Sequence, residues 1–433
     1  MKYLSLTFLL IYGLSQKSFS QGTYFPPLIG PAWDTLSPSS LNWCPDRIDT
    51  LENYLASKNT KAFIILKNGR IVLETYYGSF TRDSVWYWAS AGKTLTAALV
   101  GIAQTEGHLS IEDSSSRFLG TGWTSLTTQQ ERKIKIRHQL SMTTGLSDLV
   151  TNPDCTLPSC LLYLTDTGTR WAYHNAPYTL LKDVIENATS VSINSYTQTR
   201  IRQKIGMTGL WLQTGDNNVY YSNARSMARF GLLIMNKGIW NQDTVLKDTT
   251  YLFRSVNTSQ SINLSYGFLW WLNGKGSYLL PQSQFLFPGD LIPSAPDEVI
   301  SALGKNDQRI YIWPSEKIVV IRLGDASGLS PLALSDFDNE VWARIMSLPC
   351  TVTSTSVESL SAHNQKIKLY PQPAKDVIWT NKQDAPYRIL NLQGRQVKSN
   401  QTDSEGRIYV SDLPPGMYLL SVNLNGFHPV IIQ

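Results

Sequence analysis

The chain has 433 residues, 42% of them apolar and 16% charged, with a formal net charge of +5. That length suits two or three domains with sizeable cores, and the composition excludes a disordered chain. The small charge, without a long Lys/Arg run, gives no electrostatic case for nucleic acid.

The chain opens with Lys2 and the apolar run "YLSLTFLLIYGL", followed by Ser18-Phe19-Ser20 as a small-x-small cleavage pattern before Gln21. This reads as a signal peptide over residues 1–20. The run is too short to cross a bilayer, and no other stretch approaches the ~20 apolar residues that a span needs, so no stable membrane span is expected.

"CPDRIDTLENYLASKN" (44–59) predicts a helix, with Asp46 as its cap and Ile48, Leu51 and Leu55 at helical spacing. "KAFIILKNGRIVLETYYG" predicts a hairpin turning at Lys67-Asn68-Gly69. Helices and loops fill most of 90–250. "YGFLWWLN", "EVISALG", "RIYIWPS" and "KIVVIRLG" then read as four antiparallel strands, and Pro331 to Leu348 as a closing helix. Strands at both ends with helices between predict an α+β, or layered α/β, domain over 21–350: one antiparallel sheet beside a helical lobe. A Thr/Ser-rich linker covers 351–366. Residues 367–433 alternate apolar and polar, with turns at Gln393-Gly394, Glu405-Gly406 and Pro415-Gly416, and predict a small all-β sandwich.

The four cysteines fit an oxidising destination and allow three connectivities. Cys155 and Cys160 bracket a short turn, and Cys44 and Cys350 stand near the two ends of one domain. That pairing is preferred to the other two and to free thiols. No Cys-x-x-Cys or His-x-x-x-His spacing occurs, so no metal site is expected, and no cofactor.

The stretch "SAGKT" at 90–94 admits two chemistries. A phosphate-binding loop would need a glycine where Tyr87 stands, and "VWYWAS" offers none. The other reading is Ser-x-x-Lys. Ser90 precedes a helix with Leu95, Leu99 and Ile102 on one face, and Lys93 returns to the side of Ser90 one turn on. A helix N-terminus favours a developing oxyanion. An ordinary lysine is a poor base near neutrality, so Lys93 must be buried or placed beside another cation. "GTRWAYHNAPYTLL" adds Tyr173, suited to proton transfer, and Asn175, suited to orienting lysine and a substrate amide. The strand ending Ala302-Leu303-Gly304 could offer its edge to an extended substrate, and the backbone N–H groups of Lys305 and Ser90 could form an oxyanion hole. Tyr221 of the second Tyr-x-Asn, Tyr221-Ser222-Asn223, is the alternative relay. A Ser-His-Asp triad is disfavoured: no Gly-x-Ser-x-Gly occurs, His138 reads as structural, and His174 as facing away from substrate.

In this order, Ser-x-x-Lys, Tyr-x-Asn and the third strand resemble the serine β-lactamase and penicillin-binding-protein superfamily, in its class C-like and esterase-like branch. "IKIRHQLSMTTGLSD" and "SNARSMARFGLLIMNKGIW" resemble its flanking segments, and the likeness covers about 45–348. The resemblance implies Ser90 as nucleophile, Lys93 as general base, Tyr173 as proton relay and Asn175 as a substrate-positioning group. Ala302-Leu303-Gly304 departs from the family's Lys-Thr-Gly, which puts β-lactam recognition in doubt. With Gln308 and Pro314 it is similar to 6-aminohexanoate-dimer hydrolases and related esterases. "LYPQPAKD", "YRILNLQGRQV", "LPPGMYLLSV" and "HPVIIQ" resemble the C-terminal sorting domain of type IX secretion cargo. That implies secretion machinery as a partner, passage through the periplasm, and release or surface attachment.

The expected function is thus a secreted serine hydrolase acting through an acyl-serine on a small-molecule or peptide substrate with an amide, ester or peptide bond. Two alternatives stand beside it. One is a non-catalytic peptidoglycan- or peptide-binding protein of the same fold; the other is a true β-lactamase or D-Ala-D-Ala carboxypeptidase.

Overall fold

The computed structural model describes residues 22–328, 335–350, 369–371, 373–391, 395–423 and 427–432. The expected signal peptide (1–20), the expected linker (351–366) and the predicted Gln393-Gly394 turn lie outside the described residues.

Helix α1 runs Pro45–Ser57. Its cap is Cys44, without a side-chain bond, and Asp46 stands in the first turn, so the expected Asp46 cap does not form. Proline fits that first turn because its missing N–H would have no helical partner there. Strands β1 (Thr60–Lys67) and β2 (Arg70–Tyr76) form the predicted hairpin. Asn68 and Gly69 both take positive φ, 50° and 79°, as a two-residue turn between right-twisted strands requires. A short strand β3 (Trp86–Tyr87) leads to helix α2 (Lys93–Thr105).

Two strands, β4 (Leu210–Thr214) and β5 (Asn217–Ser222), join β3 in a small sheet ordered β3-β5-β4. Helix α3 (Ala224–Met235) follows. The four predicted late strands are β6 (Trp271–Leu272), β7 (Ile300–Gly304), β8 (Gln308–Trp313) and β9 (Ile318–Gly324). They join the hairpin in one six-stranded sheet, ordered β2-β1-β9-β8-β7-β6, with antiparallel pairing throughout. Helix α4 (Asp336–Met346) closes the domain; its predicted start at Pro331 lies outside the described residues.

All seven residues of β9 are buried. Successive side chains on a strand point to opposite faces, so both faces of the sheet are covered. Helix α3 covers one: a Cβ added at Gly231 would lie 2.6 Å from Val319 of β9. Helix α4 covers the other, where Arg322 of β9 meets the ring of Phe337. The layered domain is held at its ends by Cys44–Cys350, and a second disulfide joins Cys155 to Cys160, as the preferred pairing has it.

The tail has its own apolar core, built on Ile378, Ile389, Ile408, Leu420 and Val430. Its strands form a three-stranded sheet (Leu369–Tyr370, Val377–Thr380, Arg407–Tyr409) and a four-stranded one (Gln396–Gln401, Pro386–Leu390, Gly416–Val422, His428–Ile432). Together they make the all-β unit that the alternating pattern predicts.

Candidate active site

Ser90 sits in a tight turn, Ala89–Gly92, at the start of α2. The turn is fixed from below. Trp88 is fully buried, its indole N–H donates to Ser222 Oγ at 2.8 Å, and its backbone N–H donates to the Tyr220 carbonyl at 2.8 Å. Ala89 takes φ +48°, a left-handed conformation uncommon outside glycine and asparagine. Helix α2 is buried from Lys93 through Ala103, not on the one face that the Leu95, Leu99, Ile102 spacing suggests. An apolar helix buried all round runs through a core.

Lys93 is only 4% exposed. Its Nζ donates to Asn175 Oδ1 at 2.9 Å and lies 3.7 Å from the centroid of the Tyr178 ring and 5.4 Å from that of Tyr173. Burial lowers its pKa from 10.5 to about 7, with Asp154 pulling the other way. A charged amine loses hydration when buried, and one carboxylate does not restore it.

Tyr173 packs in an aromatic cage, stacked on Trp271 at 5.8 Å and edge-on to Tyr266 at 6.2 Å. The preceding backbone is pinned where Ala172 N–H donates to the Met142 carbonyl at 2.9 Å. Burial holds the Tyr173 phenol well above its ordinary pKa; a side-chain contact with Ser90 opposes this. Asn175 opens the short helix Asn175–Thr179, and its Nδ2 donates to Asp154 Oδ1 at 2.7 Å. Asn175 therefore bridges lysine and carboxylate and keeps one amide N–H uncommitted to either.

These groups line a cavity of about 620 Å³, which Lys305, Asn306, Tyr87 and Tyr221 also border. Gly304 is buried at the end of β7, where a Cβ would stand 2.5 Å from the Trp88 carbonyl and 3.0 Å from the Ala91 nitrogen. The close approach that glycine permits is thus made to the turn carrying Ser90. Ala302–Gly304 pair with β8, whereas β6 reaches only Ile300 and Ser301, so among the described residues that edge has no strand partner. Next to it, Asn306 and Asp307 take φ +58° and +60°. Buried arginines brace this bend: Arg322 donates to the Asn306 carbonyl at 2.7 Å, and Arg309 to the Gly304 carbonyl and to Asp307 Oδ1, each at 2.6 Å. Lys305 itself is exposed. Gln308 clasps Gly324, its Nε2 on the carbonyl at 2.6 Å and its Oε1 on the N–H at 3.0 Å, a joint between β8 and β9.

The second Tyr-x-Asn resolves differently. Asn223 caps α3, accepting from Ser226 N–H at 2.8 Å, and Tyr221 rests edge-on to Tyr87 at 6.3 Å. The ring contacts of Lys93 are with Tyr173 and Tyr178. His174 is buried and does not border the cavity; burial lowers its pKa to about 4. His138 is buried as well, its Nδ1 accepting from Lys135 N–H at 3.1 Å. No His/Cys/Asp/Glu cluster fit for a metal occurs among the described residues.

Sequence reasoning missed Asp154 and Tyr178. Asp154 adjoins a cysteine in a loop with no periodic signal. Tyr178 stands three residues after Asn175, the helical spacing that returns it to the same side.

None of the curated proteins matches the chain. The fold is similar to that of a putative 6-aminohexanoate-dimer hydrolase from Bacillus anthracis, with TM-score 0.55 and 18% identity over 76% of this chain and 91% of that one. A putative beta-lactamase from Bacteroides dorei gives 0.54 and 18%, over 71% and 99%. A penicillin-binding protein homolog from Caulobacter crescentus gives 0.53 and 11%, over 70% and 98%. Residues 368–430 match the secretion system C-terminal sorting domain, which marks the chain for the cell surface or release and makes secretion machinery a partner. No helix of the described residues is long and apolar enough to cross a membrane. Residues 50–323, well over half of the chain, match the Beta-lactamase family, whose members are serine hydrolases, and the chain belongs to that family.

Proposed function

We propose that this is an exported acyl-serine hydrolase in which Ser90 attacks the carbonyl of an amide, ester or peptide. The observation that carries the reading is the burial of Lys93 behind the Ser90 turn, with a pKa lowered to about 7 while Tyr173 stays protonated. Near neutrality a sizeable fraction of Lys93 is free amine, so Lys93 is the base and Tyr173 a phenol donor. Lys93 Nζ takes the Ser90 proton as Oγ bonds to the carbonyl carbon. The tetrahedral oxyanion faces the backbone N–H groups of Ser90 and Lys305. Collapse breaks the bond to the leaving group, which receives the Lys93 proton through Tyr173. Water then repeats the sequence on the acyl-serine, and Ser90 recovers its proton. Asn175 holds Lys93, with its uncommitted N–H available to the substrate.

Ala302-Leu303-Gly304, on the strand that ends beside the cavity, stands where the family's carboxylate-binding Lys-Thr-Gly would, so nitrocefin turnover is expected to be poor. A fluorophosphonate probe tests the whole reading, because it labels an activated serine irrespective of substrate. Ser90→Ala should abolish labelling, and Lys93→Ala should slow it by several orders of magnitude. Tyr173→Phe should reduce turnover of a p-nitrophenyl ester about 10²- to 10⁴-fold, with Tyr221→Phe far milder. Normal labelling of Ser90→Ala, or equal losses in the two tyrosine variants, would overturn the assignment.

A further inference from the structure

Asp154 touches neither Ser90 nor Lys93 by a hydrogen bond, yet its position bears on the base through Asn175. A carboxylate only accepts, so it can bind only the Nδ2 end of Asn175, at 2.7 Å. That choice turns Oδ1 toward Lys93, where it accepts from Nζ at 2.9 Å. Rotated by half a turn, the same amide would set its oxygen against the carboxylate and its N–H groups against the ammonium, and lose both bonds. With one amine N–H committed to Asn175, rotation of the Lys93 head is restricted, and the lone pair of its neutral form has fewer directions to take.

The loop carrying Asp154 is itself fastened. Cys155 is bonded to Cys160, Ala176 N–H donates to the Pro153 carbonyl at 3.1 Å, and Asp154 N–H donates to Asn152 Oδ1 at 3.1 Å. Asn152 in turn donates to Asp216 at 3.0 Å.

The charges around Lys93 are few. The rings of Tyr173 and Tyr178 face it as neutral phenols, and Tyr178 Oη is 3.2 Å from Thr96 Oγ1. Ser90 is uncharged. Asp148, which also borders the cavity, is paired with Arg170 at 2.7 Å, and Lys305 borders it as an exposed cation. Among the described residues, the Asp154 carboxylate is the charge that acts on Lys93, and it favours the ammonium.

We propose that Asp154 is a positioning residue for the base: its carboxylate fixes the Asn175 amide so that the carbonyl faces Lys93. The inference rests on the reading of Ser90 and Lys93 above. Its chemical sense is a compromise. Burial alone would leave a weaker base, deprotonated over a wider pH range; the nearby carboxylate restores basicity while the amide keeps aim.

The test is the rate of fluorophosphonate labelling as a function of pH, between about 5 and 9, in the full chain. Asp154→Asn keeps the size and an acceptor oxygen but removes the charge. Its acidic limb should move to lower pH, because Lys93 then loses its proton more readily. Asp154→Ala also removes the acceptor, and its plateau rate should fall about 10- to 100-fold through misaligned groups. The shift in Asp154→Asn is a readout that a purely structural role for Asp154 would not produce, and melting temperatures identify any variant that fails to fold. A limb unmoved in Asp154→Asn, or a wild-type plateau in folded Asp154→Ala, would overturn the proposal. If instead Ser90→Ala labels normally or Lys93→Ala keeps the wild-type limb, the fault lies in the underlying reading of the nucleophile and base.

Discussion

Burial separates Lys93 from the other described lysines, and it has a thermodynamic signature. The group's pKa falls from 10.5 in water to about 7 in the fold, so between those values the unfolded chain binds a proton that the native state does not. The cost to the native state is full below pH 7 and is relieved as pH rises toward 10.5. Wild-type stability measured against Lys93→Met should therefore increase with pH across that window, by a few kcal/mol at most. Urea unfolding at several pH values reads the difference, and a flat difference would mean that Lys93 is not buried as an amine. Ser90, Lys93, Tyr173 and Asn175 were legible in the sequence because each motif is local, four residues or fewer from end to end. Asp154 was not, because its partner is 21 residues away, across a loop whose shape no periodicity encodes.

At the scale of elements, the join between β7 and the Ser90 turn governs the geometry of the site. Gly304 admits no side chain there: a Cβ would stand 2.5 Å from a backbone oxygen that cannot rotate away. Gly304→Val should cost about 1–3 kcal/mol in unfolding free energy and, by pushing the turn, lower the labelling rate more than Lys305→Ala does. Comparable labelling in the two variants would show that the join is slack. The hairpin and the late strands were legible because two-residue periodicity and turn residues agree along them. Helix α2 was read as one-faced because its apolar residues alone were counted; Thr94, Thr96 and Gly101 on its remaining faces are buried too, against partners that only the tertiary fold brings. The Asp46 cap failed for a simpler reason, the proline at position 45 having already set the first turn.

The whole molecule divides, in our reading, into a hydrolase domain over 21–350, a linker over 351–366 and a sorting domain from 367. Each folded part has its own apolar core, as independent folding requires. Deleting residues 367–433 should leave labelling of Ser90 and the melting temperature of the hydrolase domain unchanged while blocking export. A truncated protein that unfolds would refute the division. The fold class was legible because strands at both ends of a helical stretch must meet in one sheet; the strand order was not, since nothing local says that β1 will pair with β9. The disulfide between Cys44 and Cys350 closes that long circuit, and it also has a mechanical meaning. When such a protein is held by its tail, drag on the body enters at Cys350. The bond passes that load directly to Cys44 and the start of α1, so helix α4 cannot be peeled off from the tail end. The covalent link, rather than the hydrogen bonds of the sheet, takes the tension.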